Sequence, residues 1–149
     1  YKPSLPDWLI GFNSQIMYKK WETGVAFHGS IGNYVYNGTD AHTGYNYYSA
    51  RNGYLTNIGK NYFKTYFHNP QYESSFYVEN GSFLKMDNLY VTFDFGKIAK
   101  NVKLKLIGAV QNVFTITKYT GVDPEVSNGI DFGFYPRPRI FSLKFDFEI

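Results

Sequence analysis

The ten residues IFSLKFDFEI (140–149) alternate without a break. Phe141, Leu143, Phe145, Phe147 and Ile149 fall on one side; Ser142, Lys144, Asp146 and Glu148 fall on the other. Successive side chains of a β-strand point to opposite faces, so this segment has one apolar face and one face carrying three charges. The same period of two recurs in four earlier segments. In WLIGFNSQIMY (8–18), Trp8, Ile10, Phe12, Ile16 and Tyr18 share a face. From residue 21, Trp21, Val25, Phe27 and Ile31 alternate with Glu22, Gly24, Ala26, His28 and Ser30. Leu89, Val91, Phe93 and Phe95 oppose Asn88, Tyr90, Thr92 and Asp94, and Val102, Leu104, Leu106 and Val110 oppose Lys103, Lys105 and Gln111. Strands are expected at about 7–18, 21–37, 83–96, 102–114 and 139–149, with long loops at 38–82 and 115–138.

Composition supports an all-β reading. The 149 residues include 15 Tyr, 14 Phe and 2 Trp, with 14 Gly. Aromatic, Gly-rich chains favour strands over helices. With no cysteine, a disulfide framework, a thiol nucleophile and a thiolate metal site are all excluded. The net charge of +3 is too small to argue for nucleic acid. No run of 18 apolar residues is present, so no transmembrane helix is expected. The start, YKPSLPDW, has neither an initiator Met nor a signal peptide's charged and apolar regions, which suggests a piece of something longer.

The connections alternate strictly: short, long, short, long. An antiparallel up-and-down sheet with that rhythm places short turns at one end and long loops at the other, the layout of an outer-membrane β-barrel. Segments of about 10–14 residues, at roughly 3.4 Å per residue and a tilt near 45°, cross the ~25 Å apolar band of such a membrane. Trp8, Tyr18, Trp21, Tyr34, Tyr36, Phe95 and Phe114 sit at segment ends, where interfacial girdles belong. Five strands cannot close a membrane barrel, which needs roughly eight. An open sheet in lipid would leave two edges of unpaired backbone groups at several kcal/mol each. The chain is therefore expected to oligomerise or, better, to belong to a larger barrel, with its last strand running toward the periplasm.

Several stretches carry a family resemblance. NGSFLKMDNL (80–89), QNVFTITKYTGVDPEV (111–126) and GFYPRPR (133–139) are its most specific parts. In order, and over nearly the whole chain outside the first long loop, they resemble the C-terminal end of SusC/RagA-type TonB-dependent outer-membrane transporters of Bacteroidetes. The resemblance implies a barrel of about 22 strands closed by an N-terminal plug. It also implies a SusD-like surface lipoprotein as a cap, TonB as the energy source, and oligosaccharides or peptides as cargo. It implies no enzyme and no cofactor. Two departures stand out: the plug and the TonB-contacting segment are absent from these residues, and the family often ends in Phe where this chain has Ile149.

Beside that resemblance, the chemistry-bearing residues are sparse. His28, His42 and His68 have no metal-ligand spacing, and the plainer reading is lumen or loop positions. Asp123 and Glu125 in VDPEV could form an acid pair or hold a cation, but a proline turn explains them better. The first long loop carries Tyr45, Tyr47, Tyr48, Tyr54, Tyr62, Tyr66, Tyr72 and Tyr77 with Phe63, Phe67 and Phe76. Tyrosine offers a flat apolar ring with a polar tip, suited to sugar stacking or a protein interface; packing within the loops is the alternative. Tyr45, Tyr47, Tyr48, Tyr54, Tyr62 and Tyr66 are the candidates for ligand or partner contact. Arg137 and Arg139 in PRPR could grip an anion or simply line a solvated rim. NGT (37–39) and NGS (80–82) read as turns. Phe141, Leu143, Phe145, Phe147 and Ile149 are expected to face lipid. The competing architecture is a soluble β-sandwich that binds carbohydrate through the Tyr-rich loop, its apolar faces meeting as a core; strict short–long alternation argues against it, since sandwiches favour Greek-key links.

Overall fold

The structure is a computed structural model that describes residues 2–45 and 58–148. Strands and helices follow in the order β1 (Trp8–Tyr18), β2 (Trp21–Ile31), β3 (Tyr34–Asn37), α1 (Gly38–Thr43), α2 (Tyr62–Thr65), β4 (Val78–Asn80), β5 (Phe83–Ala99), β6 (Val102–Thr117), β7 (Ile130–Asp131) and β8 (Ile140–Glu148). They form two compact units, one from residues 8–30, 83–117 and 137–149, the other from 1–7, 31–82 and 118–136.

The first unit is a five-stranded sheet in the order β1-β2-β5-β6-β8. The β2–β5, β5–β6 and β6–β8 pairs are antiparallel. Alternation in the sequence becomes two distinct faces. Across one, Trp21 opposes Phe93, Phe93 opposes Leu106, and Leu106 opposes Phe145. On the next row Val91 opposes Gly108, which opposes Leu143. The rings of Phe12, Phe27 and Phe114 continue the stripe, with centroids 6.2 Å apart in each neighbouring pair. Among the described residues nothing covers it: Phe141, Leu143, Phe145 and Phe147 are 73, 64, 55 and 57% exposed. Burying apolar area is the main force that holds a water-soluble sheet, at about 25 cal/mol per Å². A sheet of this size with its whole apolar face uncovered has forgone that contribution.

The opposite face is polar and internally bonded. Gln15 Nε2 donates to Glu22 Oε1 (2.8 Å), and the Tyr90 hydroxyl donates to the same oxygen (3.0 Å). Tyr90 lies over its cross-strand partner Gly24: a Cβ there would stand 2.3 Å from the ring, so glycine lets the ring keep this position. Lys103 and Glu148 pair across β6–β8 at 3.0 Å, and Lys144 lies 3.8 Å from Asp146.

One register shift falls between β2 and β5 and three fall between β5 and β6. Asp87 is an extra residue of β5 against β2, and it reaches His28 Nδ1 at 2.6 Å. At the same level β6 carries Asn112 at φ 51°, a left-handed conformation that Asn tolerates better than most residues. Gly96 at φ 72° makes a second bulge, and its N–H donates to Asp94 Oδ1 (2.7 Å). The strand expected to stop at residue 96 therefore runs on to Ala99.

The second unit is organised on β3, which pairs antiparallel with β4 and parallel with β7. Continuous extension from 21 to 37 does not occur. Gly32, at φ +92°, ends β2, and Tyr34–Asn37 pairs with residues distant in sequence instead. Val35, Ala41, Tyr77 and Tyr119 form its core.

Candidate functional site

Asn37 is the pivot of the second unit. Its side-chain oxygen accepts from the Asp40 N–H (2.9 Å) and caps α1, which makes NGT a helix start. Its amide donates to Glu79 Oε1 (3.0 Å) and Thr120 Oγ1 (3.4 Å). Thr120 donates to Glu79 through both its N–H and its hydroxyl, each at 2.8 Å. The Tyr119 hydroxyl donates to Asp131 Oδ2 (2.7 Å), while Gly133 N–H donates to Oδ1 (2.8 Å). Asp131 is only 2% exposed, and a carboxylate so buried is tolerable because both oxygens are bonded. Burial pushes the Tyr119 phenol well above its ordinary pKa, helped by the bond to Asp131 and the charges of Asp131, Glu79 and Asp40. Tyr77 shifts upward too, by burial first and then by the Asp40 charge.

This network forms one wall of a cavity of about 410 Å³. Asp40, Thr43 and Asn61 line it with Lys60, Lys64 and Thr120. Asn61 Nδ2 donates to Asp40 Oδ2 and closes one end. Amides, hydroxyls, two ammonium groups and two carboxylates line it, a set that can orient a polar ligand by hydrogen bonds. Among the described residues, no group of three or more His, Asp or Glu could hold a metal ion.

The sequence-derived candidates divide. Tyr45 is buried, and its hydroxyl meets that of Tyr72 at 2.9 Å, so it supports the loop from behind. Tyr62 stacks edge-on against Phe63 and Tyr66, with centroids 5.5 and 5.6 Å away. Tyr66 is 62% exposed and Phe63 65%. Tyr47, Tyr48, Tyr54 and Ile149 lie outside the described residues. His42 packs against Tyr72 and Phe132 in ring contact. Asp123 accepts from the Glu125 N–H (2.9 Å), which makes VDPEV a self-bonded turn. Asn80 does the same for Ser82 (2.8 Å), so NGS is also a turn. Arg139 Nε donates to the Asn112 carbonyl (3.4 Å), and Asn112 Nδ2 donates to the Pro138 carbonyl (2.9 Å); together they seat the entry to β8. Glu79, Asn112 and Asp131 were not singled out from sequence, because their partners lie 26 to 42 positions away or, for Asp131, in an irregular segment.

An antiparallel five-stranded sheet with an uncovered apolar face, a polar face and long excursions at one end defines a strip of β-barrel wall. Similar proteins agree. The chain is 32% identical over 160 residues to the TonB-dependent receptor SusC of Bacteroides thetaiotaomicron, covering 96% of this chain and 15% of that protein. It is 28% identical to the TonB-dependent receptor P3 of Formosa agariphila, covering 93% of this chain and 16% of that one. Among solved structures it resembles the RagAB peptide importer in its open-open state, with a TM-score of 0.73 at 19% identity over 99% of this chain and 18% of that chain. A second RagAB peptide transporter structure gives 0.72 at 21% identity, over 95% and 17%. No family model matches. Over nearly its whole length the chain is similar to TonB-dependent receptors, and it spans about a sixth of the length of the curated relatives it matches. These relatives are receptors and importers, not enzymes.

Proposed function

We propose that this chain is part of an outer-membrane active transporter that imports oligosaccharides or peptides, energised by TonB and capped by a SusD-like surface lipoprotein. One observation carries the reading: an apolar stripe crosses β1 to β8 with no layer of described residues over it, on a chain similar to TonB-dependent receptors. Hydrocarbon covers the stripe, the rest of the barrel pairs with the outer edges of β1 and β8, and the plug sits against the polar face. The long connections face outside the cell, where the cavity and the Tyr62–Phe63–Tyr66 cluster meet cargo or the lipoprotein. Likeness to a peptide importer supports peptides as one cargo class.

The test follows uptake of labelled oligosaccharide and peptide pools by cells carrying the whole receptor. Uptake should need the receptor and stop when the proton-motive force is collapsed. Tyr66→Ala with Phe63→Ala should weaken uptake or lipoprotein copurification while receptor yield stays level. Receptor-independent uptake of both pools would overturn the reading.

A further inference from the structure

The apolar face is not uniformly studded. Gly108 sits in the middle of β6 with Val91 on one side and Leu143 on the other, and a Cβ built on it meets nothing within 4 Å. A slot of about 380 Å³ opens above it. Trp21, Phe93 and Phe95 raise one wall, held by ring contacts at 4.6 Å (Trp21–Phe93) and 4.7 Å (Phe93–Phe95, edge-on). Leu106 and Leu143 raise the other.

The slot's lining is wholly apolar, and basic turns adjoin it along the chain. Trp21 follows the turn Lys19–Lys20 directly, and Phe95 leads through the Gly96 bulge to the β5–β6 turn at Lys100 and Asn101. Lys19 rests its ammonium 5.2 Å from the ring centre of Tyr18. The two turns and the residues beside them carry Lys19, Lys20, Lys97 and Lys100, while the nearest acids, Glu22 and Asp94, lie on the polar face and Lys103 is paired with Glu148. Aromatic walls, an unbranched floor and basic turns at one end match an amphiphile with a slender apolar tail and an anionic head.

We propose that this slot is a binding site for one anionic phospholipid of the membrane's inner leaflet. An acyl chain lies over Gly108 between the Phe93 and Leu143 walls, and the head-group phosphate meets Lys19, Lys20 and Lys100. The inference rests on the lipid-facing reading above. That reading places the short turns on the periplasmic side, where the leaflet is built of phospholipid.

The experiment uses the whole receptor, purified in detergent and examined by native mass spectrometry after incubation with phosphatidylglycerol or phosphatidylethanolamine micelles. The wild type should retain one phosphatidylglycerol in preference to phosphatidylethanolamine. Gly108→Phe, whose side chain fills the slot, should lower retention about tenfold. The triple variant Lys19→Gln, Lys20→Gln, Lys100→Gln should erase the preference between the two lipids. Ile10→Phe, on the same face in β1, should change neither. If Gly108→Phe does not fold, Val91→Phe closes the slot from β5. Equal retention of both lipids by the wild type, or undiminished retention in the filled-slot variant, overturns the proposal. So does a receptor dimer lost in that variant with lipid retention unchanged, since a second copy would then be the occupant. Heat-modifiable mobility reports the barrel separately: an inserted barrel without the lipid adduct sinks this proposal alone, and a receptor that never enters membranes sinks the reading beneath it.

Discussion

Replacing Phe145 by Arg puts a charge where the account puts hydrocarbon. Phe145 lies five residues beyond Ile140; at ~3.4 Å per residue and ~45° tilt that is about 12 Å along the membrane normal, half of the ~25 Å band. A charge at that depth on the lipid face of a barrel costs about 2–4 kcal/mol. The ring is more than half exposed, so little packing is lost with it and the charge dominates. A shift of ~3 kcal/mol changes the folded-to-unfolded ratio about 150-fold. The control is Ser142→Arg, three residues earlier on the polar face, where a hydrated lumen should hold the change within about 0.5 kcal/mol. Folding of the whole receptor into lipid vesicles across a urea series measures both. Equal destabilisation of the two variants, or none from Phe145→Arg, would refute the assignment of faces.

Gly24→Val should displace Tyr90 and break its bond to Glu22, costing about 1–3 kcal/mol in the same assay, and adding Tyr90→Ala should recover part of that loss. Asn112→Ala gives up the bond to Pro138 and the residue suited to φ 51°, so about 2 kcal/mol should be lost, with Asn112→Gly less severe. Tyr119→Phe leaves one oxygen of buried Asp131 without its donor, and hydrogen exchange around residues 34–37 and 119–131 should speed up by the equivalent of about 1–3 kcal/mol. Because the folded unit holds the Tyr119 phenol neutral above its ordinary value of 10.0, that stabilisation is complete below pH 10.0 and should drain away as pH rises further; alkaline titration followed by phenolate absorbance checks the sign.

Alternation made the sheet legible, because in a sheet with one apolar and one polar face each residue declares its side. Phe141 to Phe147 and Leu89 to Phe95 could be assigned to faces before any pairing was known. Local chemistry also exposed the turns: Asp123 in VDPEV and Asn80 in NGS bend the chain by bonds within a few residues. Long-range placement was not legible. Tyr34–Asn37 looks like a continuation of β2, yet one glycine at positive φ sends it to a parallel pairing with residues 130–131. The bulge at Asp87 shifts register without a glycine or proline to announce it. Asn37, Thr120 and Asp131 line the cavity and Glu79 bonds to the first two from outside its lining, and nothing in their own neighbourhoods marks them as partners. The resemblance to a transporter family named the larger machine, which composition and periodicity alone could only describe as a piece of barrel.

The central claim is that alternate residues of β8 meet hydrocarbon and water. Single cysteines placed from 141 to 147 in the whole receptor, labelled with a fluorophore and challenged with lipid-phase and aqueous quenchers, test it directly. The account predicts strong lipid-phase quenching at 141, 143, 145 and 147 and aqueous quenching at 142, 144 and 146. Uniform aqueous quenching at all seven positions, or none by lipid, would contradict it.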